Sequence, residues 1–286
     1  MFASSPAHDL VSVNPSSGEA QNQAHKDRQM HLTIVGSGDA FGSGGRSNTC
    51  LRLDWPGEGQ ENKQENNHTV VVDFGSSALV AWHKLGFNTT DIDAVVLSHL
   101  HGDHFGGLPS LLLEGQFVSR RTKPLTIVGP QGLEARLRAT CEALFPDSWS
   151  NRWSYPLTLI ETAPGHVTEV AGCKITALPV DHPSGAMSRA LRIDNGSKVF
   201  AYSGDTCWVD NLIEISQGAD LFVVECYAGR EAVPYHIDWT TLKANLPRLK
   251  ARKIMATHMN ADAYALREEI AAAGLLIAED GGTFDL

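Results

Sequence analysis

Three histidines and an aspartate lie within six residues of the stretch "LSHLHGDHFGG", residues 97–107. The group consists of His99, His101, Asp103 and His104. Imidazole nitrogens and carboxylate oxygens are the donors that Zn²⁺, Mn²⁺ and Fe²⁺ accept in proteins. The spacing differs from the helical His-Glu-x-x-His pattern, in which both histidines share one helix face. We expect a tight turn at Gly102, so that the first two histidines bind one cation and the last two residues bind another.

A catalytic metal centre takes three protein ligands and a water, so this motif needs partners from elsewhere. Three later residues share its setting, a polar side chain after an apolar strand. His182 follows "ITALPVD", Asp205 follows "VFAYSG" and His258 follows "KIMAT". A carboxylate between two cations can bridge them, and ions about 3.5–4 Å apart can hold a shared hydroxide. A single buried histidine is more often structural, so these residues are candidate ligands only in combination with the first motif.

The elements that must position these residues are short strands alternating with helices. The apolar run Ala94 to Leu97 predicts a buried strand that ends just before His99, where loops of α/β proteins hold ligands. "SSALVAWHKLG" predicts a helix with serine caps that stops at Gly86. The alternation predicts an α/β class with sheets buried between helices. We expect one domain over residues 30–286, with the polar insertion at 58–68 as a loop between two strands.

Composition limits the function classes. The chain has 286 residues, is 42% hydrophobic and carries a formal charge of −10, which argues against general electrostatic binding of nucleic acid. Its five cysteines are scattered and form no Cys-x-x-Cys pair, which favours a reducing compartment. Residues 1–29 lack a signal-peptide pattern and predict a disordered leader on a cytoplasmic protein without membrane spans. The basic runs at 119–123 and 248–253 are interpreted as solvated faces.

The motifs together resemble the metallo-β-lactamase superfamily, and most closely its ribonuclease Z and phosphodiesterase branch. "SHLHGDH", "PVDH", "SGDT" and "ATHM" occur in that order, and "GSGDAFGSGGRSN" and "VVVDFG" are similar to the branch's opening motifs. The glycine-rich stretch is not a dinucleotide loop, because its spacing fails at Phe41. The resemblance implies a four-layer αββα sandwich with a metal site along one edge.

The resemblance also implies a role for each candidate residue. One divalent ion is expected on His99, His101 and His182, and a second on Asp103, His104 and His258, with Asp205 bridging them. Asp73 is expected to brace the metal loop. Zn²⁺ is the expected metal, with Mn²⁺ or Fe²⁺ as alternatives. The branch places a glutamate and a histidine after the "SGD" motif, which match Glu225 and His236 here. We expect His236 to be the general acid, Glu225 to orient it, and Asp103 to take part in catalysis as well as in ligation.

The expected activity is hydrolysis of a small phosphodiester, such as a cyclic nucleotide, by a metal-bridged hydroxide. The long basic arm of tRNA-processing ribonuclease Z lies between the third-motif histidine and the "SGD" aspartate. Here that interval, residues 182–205, has room only for a hairpin around Asn195-Gly196. A tRNA 3′-processing endonuclease and a lactonase or arylsulfatase remain alternatives, as do a single-iron redox protein and a binding protein without catalysis. We expect a small anionic substrate rather than a nucleic acid polymer or a membrane partner; a homodimer is compatible with the sequence.

Overall fold

A computed structural model of the chain describes residues 29–57, 67–150 and 152–286. The predicted leader lies outside the described residues except for Gln29, and so do residues 58–66 of the polar insertion. The insertion is flanked by two strands, as expected, and its last two residues, Asn67 and His68, already belong to the second of them. The expectation of a disordered leader therefore stays a prediction.

The described residues form two seven-stranded mixed sheets. The first half supplies β1 (His31–Gly36), β2 (Cys50–Pro56), β3 (Asn67–Val72), β4 (Ala94–Val96), β5 (Leu125–Gly129) and β6 (Leu157–Glu161). The second half supplies β7 (Val167–Val170), β8 (Cys173–Pro179), β9 (Arg189–Asp194), β10 (Val199–Tyr202), β11 (Leu221–Glu225), β12 (Lys253–Thr257), β13 (Leu276–Ile277) and β14 (Thr283–Asp285). Sheet one has the order β14-β1-β2-β3-β4-β5-β6 and sheet two the order β13-β12-β11-β10-β9-β8-β7.

Each sheet is antiparallel on one side and parallel on the other. In sheet one, β14 to β3 pair antiparallel and β3 to β6 pair parallel. In sheet two, β7 to β10 pair antiparallel and β10 to β13 pair parallel. The parallel strands are joined by crossovers that place helices on the outer faces. The ends of several strands therefore meet at one edge of the molecule, where loops can converge.

The helices of the described residues cover both outer faces. They are α1 (Ala78–Lys84), α2 (Gly102–Phe105), α3 (Leu108–Phe117), α4 (Leu133–Leu144), α5 (Asn211–Ser216), α6 (Trp239–Asn245), α7 (Ala261–Ala265) and α8 (Arg267–Ala272). Single 3₁₀ turns occur at Ser43–Gly45, Thr89–Asp91, Ser148–Ser150 and Leu246–Arg248. Asp238 and Asn260 cap α6 and α7 by accepting hydrogen bonds from backbone N–H groups three residues later.

Alternating residues of the central strands face two different apolar layers. In β3, Val70 and Val72 belong to the core between the sheets, whereas Val71 packs under the helices of sheet one. In β11, Val223 faces the inter-sheet core and Val224 the helices of sheet two. Both faces are buried, which is why these strands are continuous apolar runs in the sequence. The three apolar layers give the four-layer αββα sandwich, and that expectation is confirmed.

The structure corrects three local expectations. The motif after β4 does not turn sharply at Gly102 but enters the short helix α2, with His101 at its N-terminus. The serines before α1 do not cap it: the Ser76 hydroxyl donates to Gly102 O and the Ser77 hydroxyl to Asn48 Oδ1. Those bonds tie the start of α1 to the loops of the metal motif instead. Arg121, expected on a solvated face, is buried and donates to backbone carbonyls.

No helix in the described ranges is long and apolar enough to cross a membrane. All five cysteines are free, and four of them are buried.

Candidate dinuclear metal centre

The strand ends bring the candidate residues to one edge of the sandwich. His99 and His101 follow β4 of sheet one, and Asp103 and His104 lie on α2, directly behind them. Sheet two contributes three residues, His182 after β8, Asp205 after β10 and His258 after β12. Loops from both sheets therefore build one site, and all seven side chains expected to bind metal come together there.

The first group of donors contains His99, His101 and His182. Each offers a ring nitrogen, and these nitrogens lie within 4.8 Å of one another. His182 Nε2 is 3.0 Å from His101 Nδ1. His99 is fully buried, His182 is buried with 8% of its surface exposed, and His101 is partly exposed. Three convergent imidazoles are a common catalytic zinc site with one position left open.

The second group contains Asp103, His104, Asp205 and His258, whose donor atoms also lie within 4.8 Å of one another. Asp205 Oδ1 is 3.2 Å from His104 Nε2, and Asp205 Oδ2 is 3.2 Å from His258 Nε2. The same Oδ2 atom is 3.9 Å from His99 Nε2 and 3.9 Å from His182 Nε2. Asp205 thus lies between the two groups, in the place that a bridging carboxylate takes.

Neighbouring groups fix the orientation of the imidazoles. Asp73 accepts a 2.7 Å hydrogen bond from His104 Nδ1 and two more from the backbone and hydroxyl of Ser98. His182 Nδ1 lies 3.1 Å from Tyr235 O, and His258 Nδ1 lies 3.3 Å from Thr49 Oγ1. Such outer partners set which ring nitrogen faces a metal. The bracing position expected for Asp73 agrees with this geometry.

Three residues at this edge have a left-handed backbone although none is glycine. Asp73 has φ 57°, His258 φ 56° and Tyr235 φ 65°. This region costs free energy for residues with a Cβ atom and persists where the surroundings enforce it, often at functional sites. Here each strained residue either is a donor or fixes one.

Buried atoms without partners show that the donor set fits a cation. Among the described residues, His99 Nε2, His104 Nε2 and Asp205 Oδ1 are buried and make no hydrogen bond, although the last two atoms lie 3.2 Å apart. Most buried polar side-chain atoms are hydrogen-bonded, so unpaired ones that converge indicate a missing ligand such as an ion. Imidazole and carboxylate donors in this number suit Zn²⁺ or Mn²⁺ rather than Ca²⁺, which prefers oxygen ligands.

Charge at the site divides between the two groups. Burial, aided by His104, lowers the pKa of His99 well below its usual value, so this ring is neutral and able to bind metal. Burial alone would raise the pKa of Asp205, but His104 and His258 outweigh it and hold the carboxyl ionised. Burial would lower the pKa of His104, yet Asp205 and Asp103 raise it well above the usual value. The carboxylates of the second group thus favour a positive charge at this place, whether a proton on His104 or a bound cation.

Glu225 and His236 form a pair beside the donors. His236 Nδ1 is 3.0 Å from Glu225 Oε2, and Glu225 is fully buried at the end of β11. The other carboxylate oxygen of Glu225 accepts from Thr206 N. Burial, and then Asp205, raises the pKa of Glu225 well above its usual value, while burial lowers the pKa of His236. A nitrogen of His236 lies within 4.8 Å of donor atoms of His182 and Asp205.

A single loop, residues 226–238, carries both His236 and the carbonyl that holds His182. Its base is closed where Ala228 pairs with Asp238 in an isolated bridge. Trp239 N donates to Ala228 O and Gly229 O, which closes the loop at the start of α6. The loop therefore couples the orientation of one candidate ligand to the position of the candidate acid.

Sequence reasoning missed Thr49, Ser98, Tyr227 and the carbonyl of Tyr235. Ser98 was visible as the residue between strand and motif, but small polar residues are common in such positions. A backbone carbonyl leaves no signal in residue types at all. Gly36 and Gly38 allow close approach of the chain at this edge: a Cβ on Gly36 would be 1.9 Å from Asn48 O, and Gly38 pairs with Met259, next to His258.

Comparison with known proteins decides the family. The family described as "Anti-Pycsar protein Apyc1" matches residues 30–280. The chain belongs to this family. The match includes every candidate metal ligand as well as Glu225 and His236.

Curated relatives of this Apyc1-family chain include proteins named ribonuclease BN. That of Erwinia tasmaniensis is 30% identical over 155 residues, 54% of this chain and 46% of the relative. That of Escherichia coli O139:H28 is 38% identical over 97 residues, 34% of this chain and 30% of the relative. The matched segment thus spans less than half of these relatives. The relatives' name is that of a ribonuclease, which is a hydrolase.

Solved structures share the fold. The metallo-β-lactamase fold protein YhfI from Bacillus subtilis has a TM-score of 0.70 at 22% identity, covering 90% of this chain and all (100%) of that one. A diphosphatase from the PhnP family has a TM-score of 0.68 at 18% identity, and the match covers 90% of this chain and 98% of that one. The short form of human tRNase Z has a TM-score of 0.67 at 19% identity, and the match covers 89% of this chain and 98% of that one. These neighbours confirm the metallo-β-lactamase fold expected from the sequence. The expected resemblance to the ribonuclease Z and phosphodiesterase branch is also confirmed, because proteins of that kind are among the similar chains.

Proposed function

We propose that the chain is a dinuclear, metal-dependent phosphodiesterase that hydrolyses a small phosphodiester, with cyclic nucleotides as the favoured substrate class. The observation that carries the proposal is the buried pair of Glu225 and His236 beside seven convergent metal donors. A proton donor next to a metal centre suits an ester whose leaving oxygen departs as an alkoxide. A site that only binds a ligand has no need for that proton donor.

His99, His101 and His182 would hold one divalent ion, and Asp103, His104 and His258 the other, with Asp205 between them. Two such ions lower the pKa of a water toward neutrality and offset negative charge on the phosphoryl oxygens. Asp103 belongs to the second group, and its carboxylate lies 3.2 Å from His104 Nε2, close enough for both to bind the same ion.

His236 would protonate the leaving oxygen. Because His236 Nδ1 is occupied by Glu225, the proton for the substrate resides on Nε2. Glu225 accepts from Nδ1–H, which leaves Nε2 of the protonated ring to donate to the leaving oxygen, and Glu225 is itself fixed by Thr206 N. The ring is mostly buried, since 16% of its side chain is exposed, so water competes poorly for the proton.

The favoured substrate is small because the structure has no arm for a polymer where ribonuclease Z carries one. Residues 182–205, all of them described, form a short loop, β9, a turn and β10. Asp194, Asn195 and Lys198 close that turn with local hydrogen bonds. The formal charge of −10 also disfavours a long polyanion, because few phosphates would be neutralised.

The test begins with metal quantification on purified protein, followed by turnover with Zn²⁺ or Mn²⁺. The substrates are bis(4-nitrophenyl) phosphate, a panel of 3′,5′-cyclic nucleotides, precursor tRNA and a set of lactones. We expect two metals per chain and cleavage of the aryl diester and of at least one cyclic nucleotide. Full metal loading with no diester cleaved would refute the proposal, and opening of lactones alone would assign the site to another ester.

Processing of RNA is the second candidate, and the relatives named ribonuclease BN favour it. If this chain processes precursor tRNA, it must bind the tRNA without an arm between His182 and Asp205. Cleavage of precursor tRNA at a catalytic efficiency above that for every cyclic nucleotide would select this function over the small diester.

A further inference from the structure

We propose that Tyr227 is a positioning residue for His236, acting through the face of its ring; this inference rests on the proposed role of His236 as a proton donor. Tyr227 lies in the interval between Glu225 and His236 and belongs to neither group of metal donors. Its ring centroid is 4.3 Å from that of His236, and the two planes are inclined by 28°. The ring therefore covers one face of the imidazole.

A contact on the ring face matters because the single hydrogen bond to Glu225 does not by itself prevent the His236 ring from rotating about χ2. Rotation about χ2 of histidine has a broad, two-fold preference, and a flip would take Nδ1 away from Glu225. His182 meets the ring at its edge, with centroids 4.9 Å apart and planes at 65°. His258 is parallel to it, but at 6.0 Å it is too distant to confine it. Among the described aromatic rings, Tyr227 is the one stacked in contact.

The backbone of Tyr227 is fixed to the strand and loop that carry His258. Cys226 N donates to Thr257 O at 2.9 Å, and Asn260 N donates to Tyr227 O at 2.8 Å. Ala228 N in turn donates to Ile237 O, next to His236. The ring is thus held between the metal donors and the loop of the acid. Within the described residues its hydroxyl has no hydrogen-bond partner, so the anchoring comes from the backbone and the ring.

The first experiment compares two leaving groups in the metal-loaded enzyme. A cyclic nucleotide loses an alkoxide, which needs a proton, whereas bis(4-nitrophenyl) phosphate loses nitrophenolate, which does not. For Tyr227→Leu we expect kcat on the cyclic nucleotide to fall by about 10–100-fold, and kcat on the aryl diester by less than about 3-fold. Tyr227→Phe keeps the ring and serves as the matched control, with both rates close to the wild type.

A double variant tests whether Tyr227 acts through His236. In His236→Ala, adding Tyr227→Leu should cause no further loss on the cyclic nucleotide, because the group it positions is gone. Equal losses of Tyr227→Leu on both substrates, additive losses in the double variant, or a Tyr227→Phe variant as slow as Tyr227→Leu would each overturn the proposal. A slow Tyr227→Phe variant would show that the hydroxyl of Tyr227, rather than its ring, supports the reaction.

Nitrogen-15 NMR of the His236 ring, in zinc-loaded protein, separates this inference from the proposed function. We expect a single tautomer protonated at Nδ1 in the wild type and in Tyr227→Phe, and a mixture of ring states in Tyr227→Leu. If the wild type cleaves no diester, the proposed function fails while this spectrum still decides whether Tyr227 positions the ring. An unchanged spectrum in Tyr227→Leu contradicts the proposal.

Discussion

At the scale of single residues, the roles proposed for His236 and for the candidate metal donors can be separated by mutation. His236 is bonded to Glu225 and is not required by either donor group. We predict that His236→Ala lowers kcat on a cyclic nucleotide by about 10²–10⁴-fold, the usual contribution of a general acid. Metal content, measured by atomic emission on the same preparation, should remain at two ions per chain.

The matched control is Asp205→Ala, which removes the residue between the two donor groups. That variant should lose metal as well as activity, because both groups lose their common oxygen donor. Loss of metal in His236→Ala would show instead that this histidine is a ligand, and the assigned role would be wrong.

Asp73 allows a second prediction at this scale. Its carboxylate accepts from His104 Nδ1 and from Ser98, and its left-handed backbone also suits asparagine. We predict that Asp73→Asn weakens zinc affinity by about 10–100-fold, as loss of an outer partner does at other metal sites. A competition titration with a chelating dye measures it.

Asp93→Asn is the control for Asp73, because Asp93 bonds Thr69 N and Lys123 and contacts none of the metal donors. Its affinity should equal that of the wild type. If Asp73→Asn binds zinc as tightly as Asp93→Asn, the bracing role is refuted.

The residue types and their order in the sequence were enough to predict that the seven candidate donors come together and that Glu225 lies beside His236. They could not show that His101 faces its neighbours through Nδ1 while His182 uses Nε2, since that depends on backbone direction. They also could not reveal Tyr227, because a lone tyrosine between two motifs has no distinguishing pattern. Contacts between side chain and backbone are set by the fold rather than by spacing.

At the scale of elements, one buried arginine connects the two sheets beside the site. Arg189, on β9 of sheet two, donates through Nη2 to Leu97 O at 2.9 Å, just after β4 of sheet one. It also donates to the Thr162 hydroxyl, while its own N–H bonds Ser98 O. Its pairing therefore fixes the strand end from which His99 projects.

We predict that Arg189→Met lowers the free energy of unfolding by about 2–4 kcal/mol, because Leu97 O and Thr162 lose their buried donor. Urea unfolding of the metal-free protein measures the change. Arg192→Met is the control: Arg192 lies on the same strand, bonds Ile215 O and Gln217 O and is less buried, so its loss should be smaller. Equal losses would contradict the sheet-linking role.

The central strands were predictable because both of their faces are buried, which makes them long apolar runs. The edge strands β6 and β7 were not, since four of their nine residues are exposed and their sequences mix polar and apolar side chains. The two-residue strand β13 and the three-residue β14 are too short to show a period. The elements that the sequence predicts are therefore the strands whose two faces are both buried.

At the scale of the whole molecule, the candidate metal centre takes donors from both sheets, which packing and hydrogen bonds such as those of Arg189 also join. Four of its donors follow β4 of sheet one and three come from loops of sheet two. We predict that removing the metals with a chelator lowers the melting temperature of the protein. A ligand at 100 times its dissociation constant stabilises a fold by about 2.7 kcal/mol per site, which sets the expected scale.

Calorimetry of chelated and zinc-loaded protein measures this shift, with Ca²⁺ as the mismatched ion. Ca²⁺ prefers six to eight oxygen ligands and should leave the melting temperature unchanged. A melting temperature that is the same with and without zinc would show that the two sheets do not depend on the centre.

The contact between His182 and the carbonyl of Tyr235 has a consequence for how such an enzyme can diversify. A main-chain oxygen is present whatever side chain stands at that position, so exchange of residues along the exposed tip of the 226–238 loop does not delete it. The loop can thus acquire new side chains at the mouth of the site while the histidine behind it keeps its orientation. Substrate range can drift through evolution here without a matching change in the donor set.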